Sequence, residues 1–306
     1  MLRGKLDSHR IGVVEVLIST FGFSLYPIFG KYVFAGGASL STTLTVRFII
    51  AAVIFWLIIF SKHGFPRLNF KTWLLLWVMG GVGYSSMAGL YLSSVRYIPA
   101  SLATLLLYAY PIIVTILSVA TRQEEVSLQK LLGLTSSTIG LGLIIGLAFG
   151  EINLFGILLA LGASVIYSVY IVLGGRVLKT TTPLISTGVI SLSAAVTYSI
   201  IGSTTGFTFN ISGFTWLVII GIALFCTVLA MLTFFSGIQK IGAASASILS
   251  TMEPVMTVVI AFVLFGEQLT ISQMLGGIFV ILGGILSVWV PKSTTAEITF
   301  TGSEKI

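Results

Sequence analysis

The sequence predicts an all-α membrane protein: ten transmembrane helices in two inverted five-helix repeats, with the N- and C-termini cytoplasmic. Three observations carry this reading. Of 306 residues, 56% are hydrophobic and only 8% charged, whereas soluble domains carry about 25% charged residues. Apolar windows of about 20 residues recur between short polar breaks, each long enough to cross the hydrocarbon as a helix and twice what a barrel strand needs. The second half of the chain also repeats the first.

The windows fall at roughly 11–35, 40–60, 73–93, 99–119, 128–148, 153–174, 183–203, 213–236, 243–264 and 271–290. The first follows the basic start "MLRGKLDSHR" and is too long for the core of a signal peptide, so it reads as a retained helix. The second ends at "SKHGFPR", and the third opens on Trp73. The fourth carries Pro111, and the fifth is glycine-rich, with Gly133, Gly140 and Gly146. The sixth closes on "GGRVLK", and the seventh begins at Pro183. The eighth opens with Trp216, the ninth holds Glu253-Pro254, and the tenth holds Gly276, Gly277, Gly283 and Gly284. These glycines predict close helix–helix approach. Trp73 and Trp216 suit the membrane interface.

The polar breaks alternate in charge. With the N-terminus inside, the cytoplasmic segments hold Arg3, Lys5, Arg10, Lys62, Arg67, Lys71, Arg122, Lys130, Arg176, Lys179, Lys240, Lys292 and Lys305. The opposite loops hold Arg96, with Lys31 near the outer end of the first helix. That asymmetry is the positive-inside pattern. It also accounts for the net charge of +7 without a nucleic-acid partner, because the basic residues are scattered as topology signals rather than gathered in a patch.

A shift of 143 lays residues 72–143 over 215–286 without a gap, with fourteen of 72 positions identical. Among them are Trp73/Trp216, Ile98/Ile241, Ala100/Ala243, Pro111/Pro254, Glu124/Glu267, Gly133/Gly276 and Gly140/Gly283. Five helices is an odd number, so the two halves cross the membrane in opposite senses, as the inverted repeats of transporters do. The predicted units are 1–149, 150–291 and a polar cytoplasmic tail at 292–306.

Several chemistries find no residues here. One cysteine, Cys226, forms no disulfide within the chain. It forms no metal site with His9 and His63 either, which lie in polar flanks. No phosphate-binding loop is present, so nothing points to direct use of ATP. No Ser/His dyad, His-rich membrane motif or metal cluster supports an intramembrane enzyme, and no cofactor is implied.

"IGAASASILSTMEPVMTVVIAFVLFGEQLTISQMLGGIFVILGGIL" resembles the end of an EamA domain of the drug/metabolite transporter superfamily. The resemblance rests on the small-residue opening at Gly242–Ser247, on Glu253-Pro254, on Glu267 in the following turn and on the Gly276-to-Gly284 helix. "IPASLATLLLYAYPIIVTILSVATRQEEVSLQKLLGLTSSTIGLGLIIG" is a more divergent second copy. The resemblance implies two tandem domains, ten helices, a central cavity between two four-helix groups with the fifth helix of each half outside it, and export of metabolites, often amino acids, or of drugs. The aromatic residues below are similar in kind to what an exporter of aromatic amino acids would use. Tyr110 stands in the first copy where the second has Glu253, so an acidic role does not carry over to the first half.

On the fourth helix Ser101, Thr104, Tyr108, Pro111, Thr115 and Ser118 share one face by their 3,4 spacing. On the ninth, Ser247, Thr251 and Pro254 form the equivalent stripe, with Ser250, Glu253 and Thr257 beside it. A polar stripe in lipid faces protein or water, so these residues line a cavity or pack an interface. Tyr84 (on a face with Trp77, Gly81, Ala88 and Tyr91), Tyr108 and Tyr167 (with Ala160 and Ser164) sit deeper than an interfacial belt. They are candidates to line a pocket for an amphipathic solute. The first helix presents Gly12, Glu15, Ser19, Gly22 and Tyr26. The substrate-binding candidates are therefore Tyr84, Thr104, Tyr108, Tyr167, Ser247, Ser250 and Thr251.

Two carboxylates fall inside predicted spans. Glu15 lies about four residues into the first helix, within reach of the headgroups. Glu253 is near the middle of the ninth, where an acid costs about 2.5–3.5 kcal/mol on insertion scales. It must be partnered, protonated or in a wet cavity. Both are candidates for ion coupling, with a purely structural role open to each. Pro111 and Pro254 remove helix hydrogen bonds at matched positions and are candidate hinges. Arg47, inside the second helix, has three roles open to it: snorkelling outward with Lys31, pairing with a cavity acid, or pairing with a substrate carboxylate. The functional expectation is a secondary exporter of small organic metabolites, amino acids foremost, working by alternating access. A multidrug or organic-cation exporter, a lipid flippase and a membrane sensor are the other readings.

Overall fold

The computed structural model describes residues 2–94, 96–98, 100–125, 127–146, 153–265 and 269–289. Ten helices among them are long and apolar enough to cross a membrane: α1 Asp7–Ala35, α2 Leu40–Lys62, α3 Phe70–Ser94, α4 Leu102–Ala120, α5 Leu128–Ile145, α6 Leu154–Val177, α7 Pro183–Thr205, α8 Gly213–Ile241, α9 Ala243–Leu264 and α10 Ile271–Val288. The predicted boundary at 149/150, the tail at 292–306 and Glu267 lie outside the described residues.

Six of these helices start at capped turns that obey the 143-residue shift. Ser39 and Thr182 cap α2 and α7, Asn69 and Ser212 cap α3 and α8, and Ser127 and Thr270 cap α5 and α10. In each, a side-chain oxygen accepts from a backbone N–H of the first turn, satisfying a donor the helix itself leaves orphaned. Within each pair the residues differ but the chemistry is the same. The repeat therefore extends well beyond the stretch that identity reveals.

The backbone irregularities repeat as well. α3 widens to a π-helix over Met79–Tyr84, and α8 does so over Ile222–Leu229. The two begin 143 residues apart, since 79 + 143 = 222. The inserted residue turns the second half of α3 away from the straight-helix register. It explains a departure from the sequence reading: Trp77 and Tyr84 were expected on one face, but Trp77 is exposed outward while Tyr84 packs on the core.

α5 and α10 lie against each other through reciprocal glycines. A Cβ on Gly133 would stand 2.7 Å from the Gly283 carbonyl oxygen, and one on Gly140 would stand 2.5 Å from that of Gly276. Two further ties cross between the halves. Lys240 of α8 bonds Glu15 of α1 at 2.5 and 2.6 Å. Glu124, just past α4, accepts from the Ala244 N–H of α9 at 2.9 Å and pairs with Lys130 at 2.8 Å. Trp73 stacks on Phe65 and Trp216 on Phe209, each at the start of its helix.

Candidate functional site

Three helices break where a polar residue precedes a proline. α1 breaks at Leu25, before Tyr26-Pro27; α4 breaks at Tyr108–Ala109, before Tyr110-Pro111; and α9 breaks at Ser250–Thr251, before Glu253-Pro254. Proline suits the first turn of the new segment, where its missing N–H is no loss. At α9 the Ser250 carbonyl, which Pro254 would leave without its helical donor, accepts instead from the Glu253 N–H at 3.0 Å. The breaks bring polar side chains to the middle of the molecule.

The centre is a chain of tyrosines contributed by both halves. Tyr84 meets Tyr170 edge-on with ring centroids 6.2 Å apart, and Tyr170 stacks on Tyr167 at 6.0 Å. Tyr167 meets Tyr110 edge-on at 4.8 Å, and Tyr110 lies 5.8 Å from Tyr108. The Tyr110 hydroxyl shares a 2.5 Å hydrogen bond with the Ser250 hydroxyl across the break of α9, and the Tyr110 carbonyl accepts from Ser168. The Tyr108 hydroxyl lies beside the Glu253 carboxyl. Tyr108, Tyr167 and Glu253 keep part of their surface open, while Tyr110, Tyr170, Ser250 and Thr251 are buried.

Of the residues picked out in the sequence, Tyr84, Tyr108, Tyr167, Ser250 and Glu253 come together in this centre. The others are placed differently. Thr104 bonds the Tyr91 hydroxyl at 2.8 Å in a separate small cluster with Ile98 and Ala160. Ser247 donates to the Ala244 carbonyl, and Thr251 to that of Ile248, both within their own segment. Glu15 is held by Lys240, with Ser236 donating to it at 2.9 Å. Pro111 and Pro254 stand just past their breaks.

Arg47 does not snorkel. It is 2% exposed, donates to the Tyr84 hydroxyl at 3.0 Å, and lies against Tyr26 and Phe48, with its guanidinium carbon 4.8 and 4.6 Å from the ring centroids. Tyr198 stacks on Phe48 at 5.8 Å and extends this second cluster. Tyr26, placed by the sequence only on a face of the first helix, and Tyr110, Tyr170 and Tyr198 are outside the predicted substrate-binding set. Two carried a readable signal, the repeated Tyr-Pro dipeptide. Tyr170 and Tyr198 sit in α6 and α7 beside several other Ser, Thr and Tyr residues, and no dipeptide or stripe singles them out.

The fold is that of a solved crystal structure that is 18% identical, with a TM-score of 0.79 and 92% of this chain and 98% of that one covered. In sequence, the chain is 26% identical over 305 residues to the uncharacterized transporter YyaM of Bacillus subtilis (93% of this chain, 98% of the relative). It is 26% identical over 298 residues to the uncharacterized transporter YcbK of the same organism (92% and 95%). An uncharacterized transporter of Archaeoglobus fulgidus is 29% identical over 202 residues (65% and 70%). The EamA-like transporter family matches twice, at residues 10–146 and 154–289. With ten apolar helices, two copies of that domain and transporters as relatives, the chain is a multi-pass integral membrane protein that belongs to the EamA-like transporter family.

Proposed function

We propose that this transporter exports small organic metabolites, amino acids foremost, across the inner (plasma) membrane by alternating access between its halves. The observation that carries the proposal is the tyrosine chain around Glu253. Rings and hydroxyls from both halves meet at mid-span, and Tyr108, Tyr167 and Glu253 keep open surface there. Such a lining suits a solute with an apolar body and polar ends.

In this reading the units 1–149 and 150–291 rock against each other, with both termini and the tail at 292–306 cytoplasmic. Tyr84, Tyr108, Tyr167 and Ser250 contact substrate. Thr104, Ser247 and Thr251 line its path in other states, and Pro111 and Pro254 are the bending points. Glu253 couples transport to protons. Glu15, through Lys240, acts on the opening of one end.

A second reading, export of organic cations, draws on the same centre: a carboxylate among aromatic rings attracts a cation. Uptake into proteoliposomes, screened over amino acids and organic cations with and without a pH gradient, separates the two. Amino-acid flux supports the first reading, and flux of cations alone replaces it. Gradient-driven flux surviving in Glu253→Gln removes the coupling role.

A further inference from the structure

Arg47 is a buried cation without a buried anion. Its Nε is shielded from solvent and has no hydrogen-bond partner. One terminal N–H donates to the neutral Tyr84 hydroxyl. Among the described residues no carboxylate lies within salt-bridge distance of it. Glu15 is engaged by Lys240 and Glu124 by Lys130 and Ala244, while Glu253 sits among Tyr108, Tyr110 and Tyr167. Removing a guanidinium from water costs more than one neutral hydrogen bond and ring contacts return.

The fold itself does not ask for this cation. The 143-residue shift that aligns the caps of α2 and α7 sets Ile190 opposite Arg47, and Ile190 packs in the same core. Two irregularities do serve it. Tyr84 ends the π-helical segment of α3, and Tyr26 stands at the break of α1 before Pro27. Both side chains meet the guanidinium. A planar fork with free N–H groups matches a carboxylate in two-point geometry.

We propose that Arg47 is the anchor for the carboxylate of the transported molecule, so that this protein selects substrates bearing an anionic group and an apolar body. The inference rests on the export reading and narrows it. The carboxylate sits at Arg47, positioned by Tyr84, and the apolar body lies along the rings of Tyr84 and Tyr170.

The test uses the full chain, purified and reconstituted, with four probes: phenylalanine, phenylalaninamide, phenethylamine and 3-phenylpropionate. In wild type, phenylalanine is transported, 3-phenylpropionate competes with it and raises the unfolding midpoint, and the amide and amine do neither. Arg47→Gln raises the KM for phenylalanine by about 30-fold, the scale of a lost charge-assisted hydrogen bond. It abolishes the effect of 3-phenylpropionate and does not lower the unfolding midpoint, because the charge it removes is uncompensated. Glu253→Gln keeps the preference for carboxylates. If Arg47→Gln does not fold, Tyr84→Phe is expected to raise KM several-fold without losing the fold. An unchanged preference for phenylalanine over its amide in the Arg47 or Tyr84 variants overturns the inference and leaves amino-acid export standing. Conversely, if wild type moves no amino acid but 3-phenylpropionate still stabilises it through Arg47, export of amino acids fails and the anion site stands. A wild type that responds to no carboxylate, or that moves only phenethylamine, overturns the inference.

Discussion

The Glu124 carboxylate of the first half accepts a hydrogen bond from the Ala244 backbone N–H of the second, at 2.9 Å. A side chain from one repeat thus caps a helix of the other, and the same carboxylate holds Lys130 at 2.8 Å. Gly242 makes room for it: its φ is +86°, and a Cβ there would stand 2.5 Å from the Glu124 carboxyl. Glu124→Ala leaves the start of α9 uncapped, and loss of such a cap costs about 1–2 kcal/mol. Lys130→Ala removes only a partly exposed ion pair, worth about 0–1 kcal/mol. Thermal unfolding in detergent is expected to show a clear drop for Glu124→Ala and a small one for Lys130→Ala. Equal drops would assign the effect to the ion pair.

Among the described residues, Glu15 and Lys240 form a second charged tie between the halves, with side chains 21% and 25% exposed. That exposure limits the coupling to about 1 kcal/mol. A double-mutant cycle on Glu15→Gln and Lys240→Met measures it directly. A coupling near zero would leave the α1–α8 contact to packing alone, through Gly12 against Lys240 and Ile241.

The α5–α10 seam tolerates no added side chain. A Cβ on Gly140 stands 2.5 Å from the Gly276 carbonyl oxygen and 2.8 Å from the Val280 nitrogen, and both are backbone atoms. Gly140→Val is expected to lower stability by at least about 2 kcal/mol, as overpacking does. Gly142→Val, whose Cβ would meet nothing within 4 Å, is the control and is expected to leave the unfolding midpoint within a few degrees of wild type.

Much of this architecture is legible in the sequence. Apolar length predicts the helices, and paired glycines predict the α5–α10 seam, because both follow from elementary demands of lipid: satisfied backbone and close packing. The caps at Ser39/Thr182 and Asn69/Ser212 obey the repeat but differ in residue, so counting identities passes over them. The centre was half legible. Tyr84, Tyr108, Tyr167 and Glu253 stand out as polar groups too deep for the interface. The π-helical turn in α3 shifts the wheel between Trp77 and Tyr84, and nothing local in "VMGGVGY" announces the extra residue. Thr104 shares a wheel face with Tyr108 and accepts from its N–H at 2.9 Å, one turn before the break in α4, but its hydroxyl joins Tyr91 rather than the centre.

Pro254 marks the break at Ser250–Thr251. Replacing it by alanine restores a helix donor and favours a continuous α9. In the proposed alternating-access reading, where the bend serves the transition between states, Pro254→Ala is expected to reduce the turnover of transport about tenfold with KM little changed. Initial rates in proteoliposomes over a range of substrate concentration check this. An unchanged turnover would remove the hinge role.

The central claim is that substrate passes through the middle of the molecule, where Tyr110 of the first half meets Ser250 of the second at 2.5 Å. The direct measurement is thiol labelling of Ser250→Cys in a Cys226→Ser background by a membrane-impermeant methanethiosulfonate, applied to either side of reconstituted vesicles. Position 250 is expected to react from both sides in turn, slowed by saturating phenylalanine. A position 250 that reacts from neither side while transport continues would contradict it, because the path would then lie elsewhere.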